Sequence, residues 1–207
     1  MAYDLEEQEQ LDEFKAWWKK NGKLVTNAVI AALLVYVAWQ GYQYWQNKKA
    51  TEASDIYQAL TLLDAGKVAE MKAQANKLMD GYSSTPYAGR AAVLLAKAEF
   101  ANKDSKPAKS DLQWAIDHAK EDAIKAIASL QLAGILLEEK DYEAAHKVLD
   151  AKIDAGFTGL RDEMKGNVYL AQGKQAEAKQ AFESALSNLD AGGALYQFTK
   201  QKLESLG

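Results

Sequence analysis

A run of 24 uncharged residues, Leu24 to Asn47, constrains this chain more than any other feature of its sequence. As a helix it would measure about 36 Å, enough to cross a hydrocarbon layer of about 30 Å. Its centre, Ala28 to Trp39, is apolar around the whole helical circumference and leaves no face for water. Lysines flank the run and aromatic residues cluster at both ends, as membrane interfaces favour. The run predicts a transmembrane helix over residues 23–46.

The run has two other interpretations, a signal peptide and a buried core helix. A signal peptide is disfavoured because the preceding tail is acidic and no small-x-small cleavage site follows. A buried core helix of a soluble protein stays open as an alternative, since the strictly apolar centre is short. The side chains expected to anchor the helix in a lipid bilayer are Trp18, Leu33, Leu34, Trp39 and Trp45.

The distribution of lysines predicts the orientation of this helix. Four lysines precede the run, between Lys15 and Lys23, and two follow it, Lys48 and Lys49. The positive-inside rule therefore places the N-terminal side in the cytoplasm. Residues 1–22 would form a cytoplasmic tail, and residues 47–207 would lie across the membrane, which is the periplasm if the source is a Gram-negative bacterium.

The remainder of the chain predicts an all-α fold. There are only two prolines in 207 residues, and no segment alternates polar and apolar residues for long enough to suggest a sheet. Amphipathic segments of about 12 to 18 residues, a usual helix length, are separated by short turns rich in Gly, Asp, Asn and Lys.

These segments repeat with a regular internal spacing. The small residues Ala96, Ala133 and Gly166 lie 37 and then 33 positions apart. After each of them a large apolar residue follows at four positions, an alanine at 12 and another large apolar residue at 16. Small residues let antiparallel helices approach closely, and large ones fill the adjacent space, so the spacing predicts helix pairs. The following residues are Phe100, Leu137 and Leu170, then Ala108, Ala145 and Ala178, then Leu112, Leu149 and Phe182.

This pattern resembles the tetratricopeptide repeat family, whose period is about 34 residues. It departs from the family in places, because the large aromatic residue of the first helix occurs only as Tyr169 and the last two units lack a closing proline. The resemblance implies an α-solenoid of helix pairs, in which the final helix, Ala194 to Leu206, caps the stack.

A stack of helix pairs presents the first helix of each pair on one concave face. The residues expected there are more apolar than a solvated face, which suits an extended or helical polypeptide. The alternative for any one of them is that the first or last helix covers it. The expected lining comprises Arg90, Val93, Lys97, Phe100, Ile127, Leu130, Gly134, Leu137, Glu138, Leu160, Glu163, Asn167 and Leu170.

Composition and motifs favour neither an enzyme nor a nucleic-acid binder. The net charge of −4 lacks the excess of basic residues that neutralises phosphates. With no cysteine, thiolate metal sites and cysteine nucleophiles are excluded. The sequence contains no Gly-rich phosphate loop, GxSxG elbow or HExxH motif, and neither histidine has a second histidine one turn away. We expect no catalytic residue, metal site or cofactor.

The combination of anchor and repeats is more specific than either part. The segments "FKAWWKKNGK" and "WQGYQYWQNKK", with a tetratricopeptide-like domain after them, resemble the family of ancillary subunits of the bacterial Sec translocon. The residues that carry this resemblance are Asn21, Gly22, Lys23, Trp39, Tyr42, Tyr44 and Trp45.

The resemblance implies a single-pass inner-membrane protein that is not an enzyme. Its partners would be the Sec translocon channel, a membrane-anchored periplasmic chaperone of the prolyl-isomerase type, and exported polypeptides passed from one to the other. A scaffold subunit of another envelope complex, in outer-membrane biogenesis or cell division, is the alternative with the same architecture.

Overall fold

The computed structural model describes the backbone of residues 2–207 and the side chains from Glu6 onward, and its regular secondary structure there is helical throughout. The predicted all-α fold class is confirmed. The helices are α1 (Ala2–Thr61), α2 (Val68–Gly81), α3 (Pro86–Ala101), α4 (Ser105–His118), α5 (Asp122–Glu138), α6 (Tyr142–Asp150), a 3-10 turn (Ala155–Phe157), α7 (Thr158–Ala171), α8 (Gln175–Asn188) and α9 (Ala194–Glu204).

The chain divides into two units, the residues up to Lys49 and Ala50–Gly207. Helix α1 contributes to both, because it continues without a break through the N-terminal tail, the apolar run and the first helical segment of the second unit. The sequence predicts a tail, a transmembrane helix and a repeat domain as three separate parts. No proline interrupts residues 2–61, and the Asn21–Gly22 dipeptide, a common turn signal, lies within the helix without ending it.

The second unit is built from the helix pairs that the spacing predicts: α3 with α4, α5 with α6, and α7 with α8. The repeated alanines Ala108, Ala145 and Ala178 are each fully buried. The large residues four positions further on, such as Leu149 and Phe182, are buried as well. Small and large residues therefore occupy equivalent core positions in all three pairs.

The turns inside the three pairs share one backbone conformation. Lys103, Lys140 and Gly173 occupy the same repeat position and all have a positive φ, of 65°, 62° and 75°. The amide of the residue after each of them donates to a carbonyl five positions back, as from Asp104 to Glu99 at 3.0 Å. This is the left-handed cap that ends many helices, and it reverses the chain for the second helix of each pair.

The two ends of the repeat unit are closed by other helices. The last turns of α1 pack with α2 and α3 through Ala53 and Leu60, both fully buried. At the other end α9 packs against α8, where Thr199 is fully buried and its hydroxyl donates to the Leu195 carbonyl at 2.8 Å. The predicted capping helix is thus present.

Candidate protein-interaction site

A groove between α3 and α5, which we call the front groove, brings several of the predicted lining residues together. It encloses about 330 Å³. Lys97 and Phe100 of α3 face Gly134 and Glu138 of α5 across it, so an apolar floor lies between an ammonium and a carboxylate. The full lining is Ala96, Lys97, Phe100, Leu112, Gln131, Gly134, Ile135 and Glu138.

Gln131 and Ile135, which are not among the expected lining residues, complete the α5 wall of this groove. Helical periodicity was the available signal, because Gln131 lies three positions before Gly134 and Ile135 lies three positions before Glu138. Gly134 leaves the wall open, since a β-carbon built there would approach only the Met164 methyl, at 4.0 Å.

The other apolar residues of the expected lining lie along the same first helices. Val93, Leu130 and Leu137 are half-buried and pack against the core. Leu170 of α7 stays 39% exposed, which is high for a leucine beside a packed helix pair. The remaining two, Ile127 and Leu160, are half-buried.

Arg90 takes part in an ion pair that joins α3 to the start of α5. Its Nε and Nη2 atoms donate to the two carboxylate oxygens of Glu121, at 2.7 and 2.6 Å. The hydrogen bonds from Arg90 lower the pKa of Glu121, while the same bonds raise the pKa of the guanidinium. Bidentate geometry holds both side chains in one orientation at the end of the first-helix face.

Glu163 and Asn167 of α7 are bound by the capping helix. The Lys202 ammonium donates to Glu163 Oε1 at 2.6 Å and to Asn167 Oδ1 at 2.8 Å. Asn167 also donates to Glu163 at 2.9 Å, and Glu163 is only 7% exposed. The three side chains form a closed polar network between α7 and α9.

A pair of carboxyl groups that the sequence does not mark joins α3 to α4, with Asp111 half-buried. Glu99 of α3 is 2% exposed and stands close to Asp111 of α4, and one oxygen of each has no partner among the described residues. Burial, and then the charge of Glu99, raise the pKa of Asp111 to about 7. Lys72 of α2 approaches the other Glu99 oxygen at 3.3 Å. No local pattern marks such a pair, because its members come from different helices.

In the first unit the apolar run forms the part of α1 suited to a lipid environment. It is the one helix among the described residues that is long and apolar enough to cross a membrane, and nothing in its most apolar window is buried. The interpretation of this run as a buried core helix is therefore disfavoured. The five expected anchors are exposed: Trp18, Leu33, Leu34, Trp39 and Trp45.

Aromatic side chains at both ends of the run contact polar groups of the same helix. Gln40 and Gln46 donate to the hydroxyls of Tyr36 and Tyr42 at 2.8 and 2.6 Å. Before the run, the indole of Trp18 covers Gly22, where a β-carbon would lie 3.1 Å from its Nε1 atom. Amphipathic rings with satisfied polar edges are typical of the membrane–water interface.

Comparison with known proteins agrees with this architecture. The family model described as "Tetratricopeptide repeat-like domain" matches residues 15–207. A protein of Neisseria gonorrhoeae named Ancillary SecYEG translocon subunit is 33% identical over 211 residues, covering 100% of both chains. Proteins of the same name from Haemophilus influenzae and Escherichia coli are 28% and 26% identical, over 100% and 97% of this chain and 100% and 96% of their own. No solved structure matches the chain significantly.

The family model covers nearly the whole chain, and the relative from Neisseria matches it from end to end, so the resemblance seen in the sequence is confirmed. The chain belongs to the family of ancillary SecYEG translocon subunits, which carry a tetratricopeptide repeat-like domain.

Proposed function

We propose that this protein is a single-span inner-membrane subunit that associates with the Sec translocon and binds polypeptides through the front groove. The end-to-end match with proteins named ancillary translocon subunits carries the proposal. The exposed apolar segment of α1 supplies an anchor, and the repeat unit supplies a surface of the kind that binds peptide segments.

The front groove has the chemistry of a peptide site. Phe100 offers an aromatic surface beside the small Gly134, while Lys97 and Glu138 stand where they can pair with charged groups of a bound segment. A membrane-anchored domain with such a groove would meet exported polypeptides as they emerge and pass them to a membrane-anchored chaperone of the prolyl-isomerase type. This role involves binding and release and requires no catalytic residue.

Membrane insertion is tested by washing membranes with alkaline carbonate. The wild-type chain should stay with the lipid, whereas the double variant Leu33→Arg, Leu34→Arg should be released, because each arginine at a helix centre costs about 2.5–3.5 kcal/mol of insertion. Leu62→Arg is the matched control, since Leu62 is 86% exposed and lies outside the run. Release of the wild-type chain would contradict the anchor.

Orientation is tested with a reporter enzyme that is active only in the periplasm, fused after Gly207. Four lysines before the run and two after it lead us to expect activity. A stable fusion that is inactive would place the repeat unit in the cytoplasm and overturn the proposed periplasmic role.

Partner identity is tested by purification in mild detergent and by photocrosslinking in cells. Translocon subunits should copurify, whereas recovery of a different envelope complex instead would favour the scaffold alternative. A photoreactive residue at Phe100 or Leu137 should capture polypeptides, and one at Lys77, exposed on α2, should not. Capture from Lys77 alone would contradict binding at the front groove.

A further inference from the structure

A second groove lies between α4 and α6, with α5 as its floor. Both second helices pack against α5, and the space between them encloses about 500 Å³, more than the front groove. We call it the back groove. Helix α6 has only nine residues, so the wall on its side is short. The lining is Lys109, Ser110, Gln113, Ile116, Ser129, Leu132, Leu136, Ala144, Lys147, Val148 and Ala151.

The back groove and the front groove lie on different faces of α5. Leu132 and Leu136 line the back groove, whereas Gly134 and Glu138 line the front one. Residues two positions apart on a helix point about 200° away from each other. One ligand segment therefore cannot fill both grooves, and a second partner has room on the back.

The floor of the back groove and the inner parts of its walls are mainly apolar, with Ser110, Gln113 and Ser129 as the uncharged polar residues of the lining. Leu132 and Leu136 belong to the core at 5% and 7% exposure, yet they also form the floor. Ile116 of α4 and Val148 of α6 are half-buried on opposite walls. The small side chain of Ala144 leaves space on the α6 side. An apolar channel flanked by two helices is the geometry that accepts an additional amphipathic helix.

The unpaired charge along the back groove is positive, although the chain as a whole carries −4. Lys109 and Lys147 are its charged lining residues, and none of the described residues that line it is acidic. Lys109 is paired with Glu139 at the edge, while Lys147 is exposed and forms no ion pair among the described residues. An occupant with carboxylates on the flanks of an apolar face would complement this pattern.

We propose that the back groove binds an acidic amphipathic helix of a partner polypeptide. Apolar side chains one turn apart would occupy the channel over Leu132 and Leu136, and a carboxylate beside them would face Lys147. The helix would complete a four-helix arrangement with α4, α5 and α6. This site is separate from the front groove and stands whether or not that groove binds exported chains.

The experiment uses the full chain in lipid nanodiscs and a fluorescein-labelled 14-residue peptide with leucines along one helical face and glutamates elsewhere. Fluorescence anisotropy is corrected with empty nanodiscs, and the same peptide with lysines replacing the glutamates serves as the charge control. We expect saturable binding of the acidic peptide and at least tenfold weaker binding of the basic one. No binding above empty nanodiscs would overturn the proposal.

Variants locate the binding. Lys147→Glu should weaken binding of the acidic peptide about tenfold, because one favourable charge contact is lost and a repulsive one replaces it. Ala144→Trp should abolish it by filling the channel, once circular dichroism shows that the variant is folded. Lys77→Glu makes the same charge change at an exposed position of α2 and should leave the affinity of the peptide unaltered.

The outcomes separate this proposal from the proposed function. Binding that is weakened by Lys97→Glu but unaffected by Lys147→Glu would assign the peptide to the front groove and overturn the back-groove proposal. Binding that is weakened only by Lys147→Glu would support it, even if crosslinking from Phe100 captures nothing. Because the chain contains no cysteine, a disulfide between Gln113→Cys and a cysteine in the peptide gives a second, proximity-based readout.

Discussion

The ring of Phe182 leaves no room for a side chain at Gly166: a β-carbon added to this glycine would lie 2.3 Å from Phe182 Cε1. Gly166 belongs to α7 and Phe182 to α8, so the contact sets the distance between the two helices of the last pair. Phe182 is fully buried and has nowhere to move. In the two preceding pairs, alanine with leucine occupies the same positions.

We predict that Gly166→Ala destabilises the protein. Alanine is the better helix former by about 1 kcal/mol, but overpacking a closed core costs about 1–3 kcal/mol, and the collision with Phe182 lies at the severe end. The midpoint of thermal unfolding should fall by several degrees, since about 1 kcal/mol shifts it by about 2–4 °C in a chain of this size.

Gly134→Ala is the matched control, because the equivalent β-carbon has open space and ends 4.0 Å from the Met164 methyl. It should raise the unfolding midpoint. Equal effects of the two substitutions would show that helix propensity, and not the contact with Phe182, decides the outcome.

The left-handed turns predict a stabilising substitution. Lys140 has a φ of 62° and is exposed, so its side chain strains the backbone without contributing to the core. A non-glycine residue in this conformation costs about 1–2 kcal/mol, part of which glycine would recover. Lys140→Gly should raise the concentration of urea at the unfolding midpoint, whereas Gly173→Ala, at the equivalent turn, should lower it. Destabilisation by Lys140→Gly would show that the lysine is not strained there.

The carboxyl pair Glu99–Asp111 predicts a pH dependence of stability. The pKa of Asp111 is raised from 3.8 to about 7 in the folded protein, mainly by burial and then by Glu99. Between these values the folded state holds a proton that the unfolded state releases. The contribution of Asp111 to stability is therefore fully present below about pH 4 and is lost as the pH rises through about 7.

Asp111→Asn should flatten this slope, because asparagine has no carboxyl group that titrates. The free energy of unfolding, measured with urea from pH 4 to pH 8, would reveal the change in slope. The values for the variant and the wild type should converge at low pH, and the variant should be the more stable at high pH. Asp117→Asn on the same helix is the control, since Asp117 is exposed. Parallel curves for Asp111→Asn and the wild type would contradict the raised pKa of Asp111.

Docking of the capping helix depends on Lys202. Lys202→Ala would leave the carboxylate of Glu163 buried without its counterion, and we expect a loss of about 1–3 kcal/mol. Hydrogen exchange of the α9 amides should accelerate. Lys200→Ala removes only an exposed pair with Glu204 and should cost no more than about 0.5 kcal/mol. If both variants exchange alike, α9 is held by its apolar contacts instead.

The helix pairs, their register and the exposed apolar helix were readable from the sequence. Helical periodicity and chain reversals depend on neighbouring residues, so the spacing of Ala96, Ala133 and Gly166 was enough to predict three pairs. The same local rules predicted Lys97 and Phe100 on the first-helix face, where the front groove lies.

The tertiary structure determines which side chains of the first-helix face remain available to a partner. Arg90 meets Glu121 across 31 positions, and Glu163 meets Lys202 across 39, pairings that periodicity does not encode. The back groove likewise exists only because α4 and α6 pack against the same helix with a space between them. A sequence pattern assigns a residue to a face of its own helix, but the partner that covers or charges that face comes from distant helices and depends on how they pack.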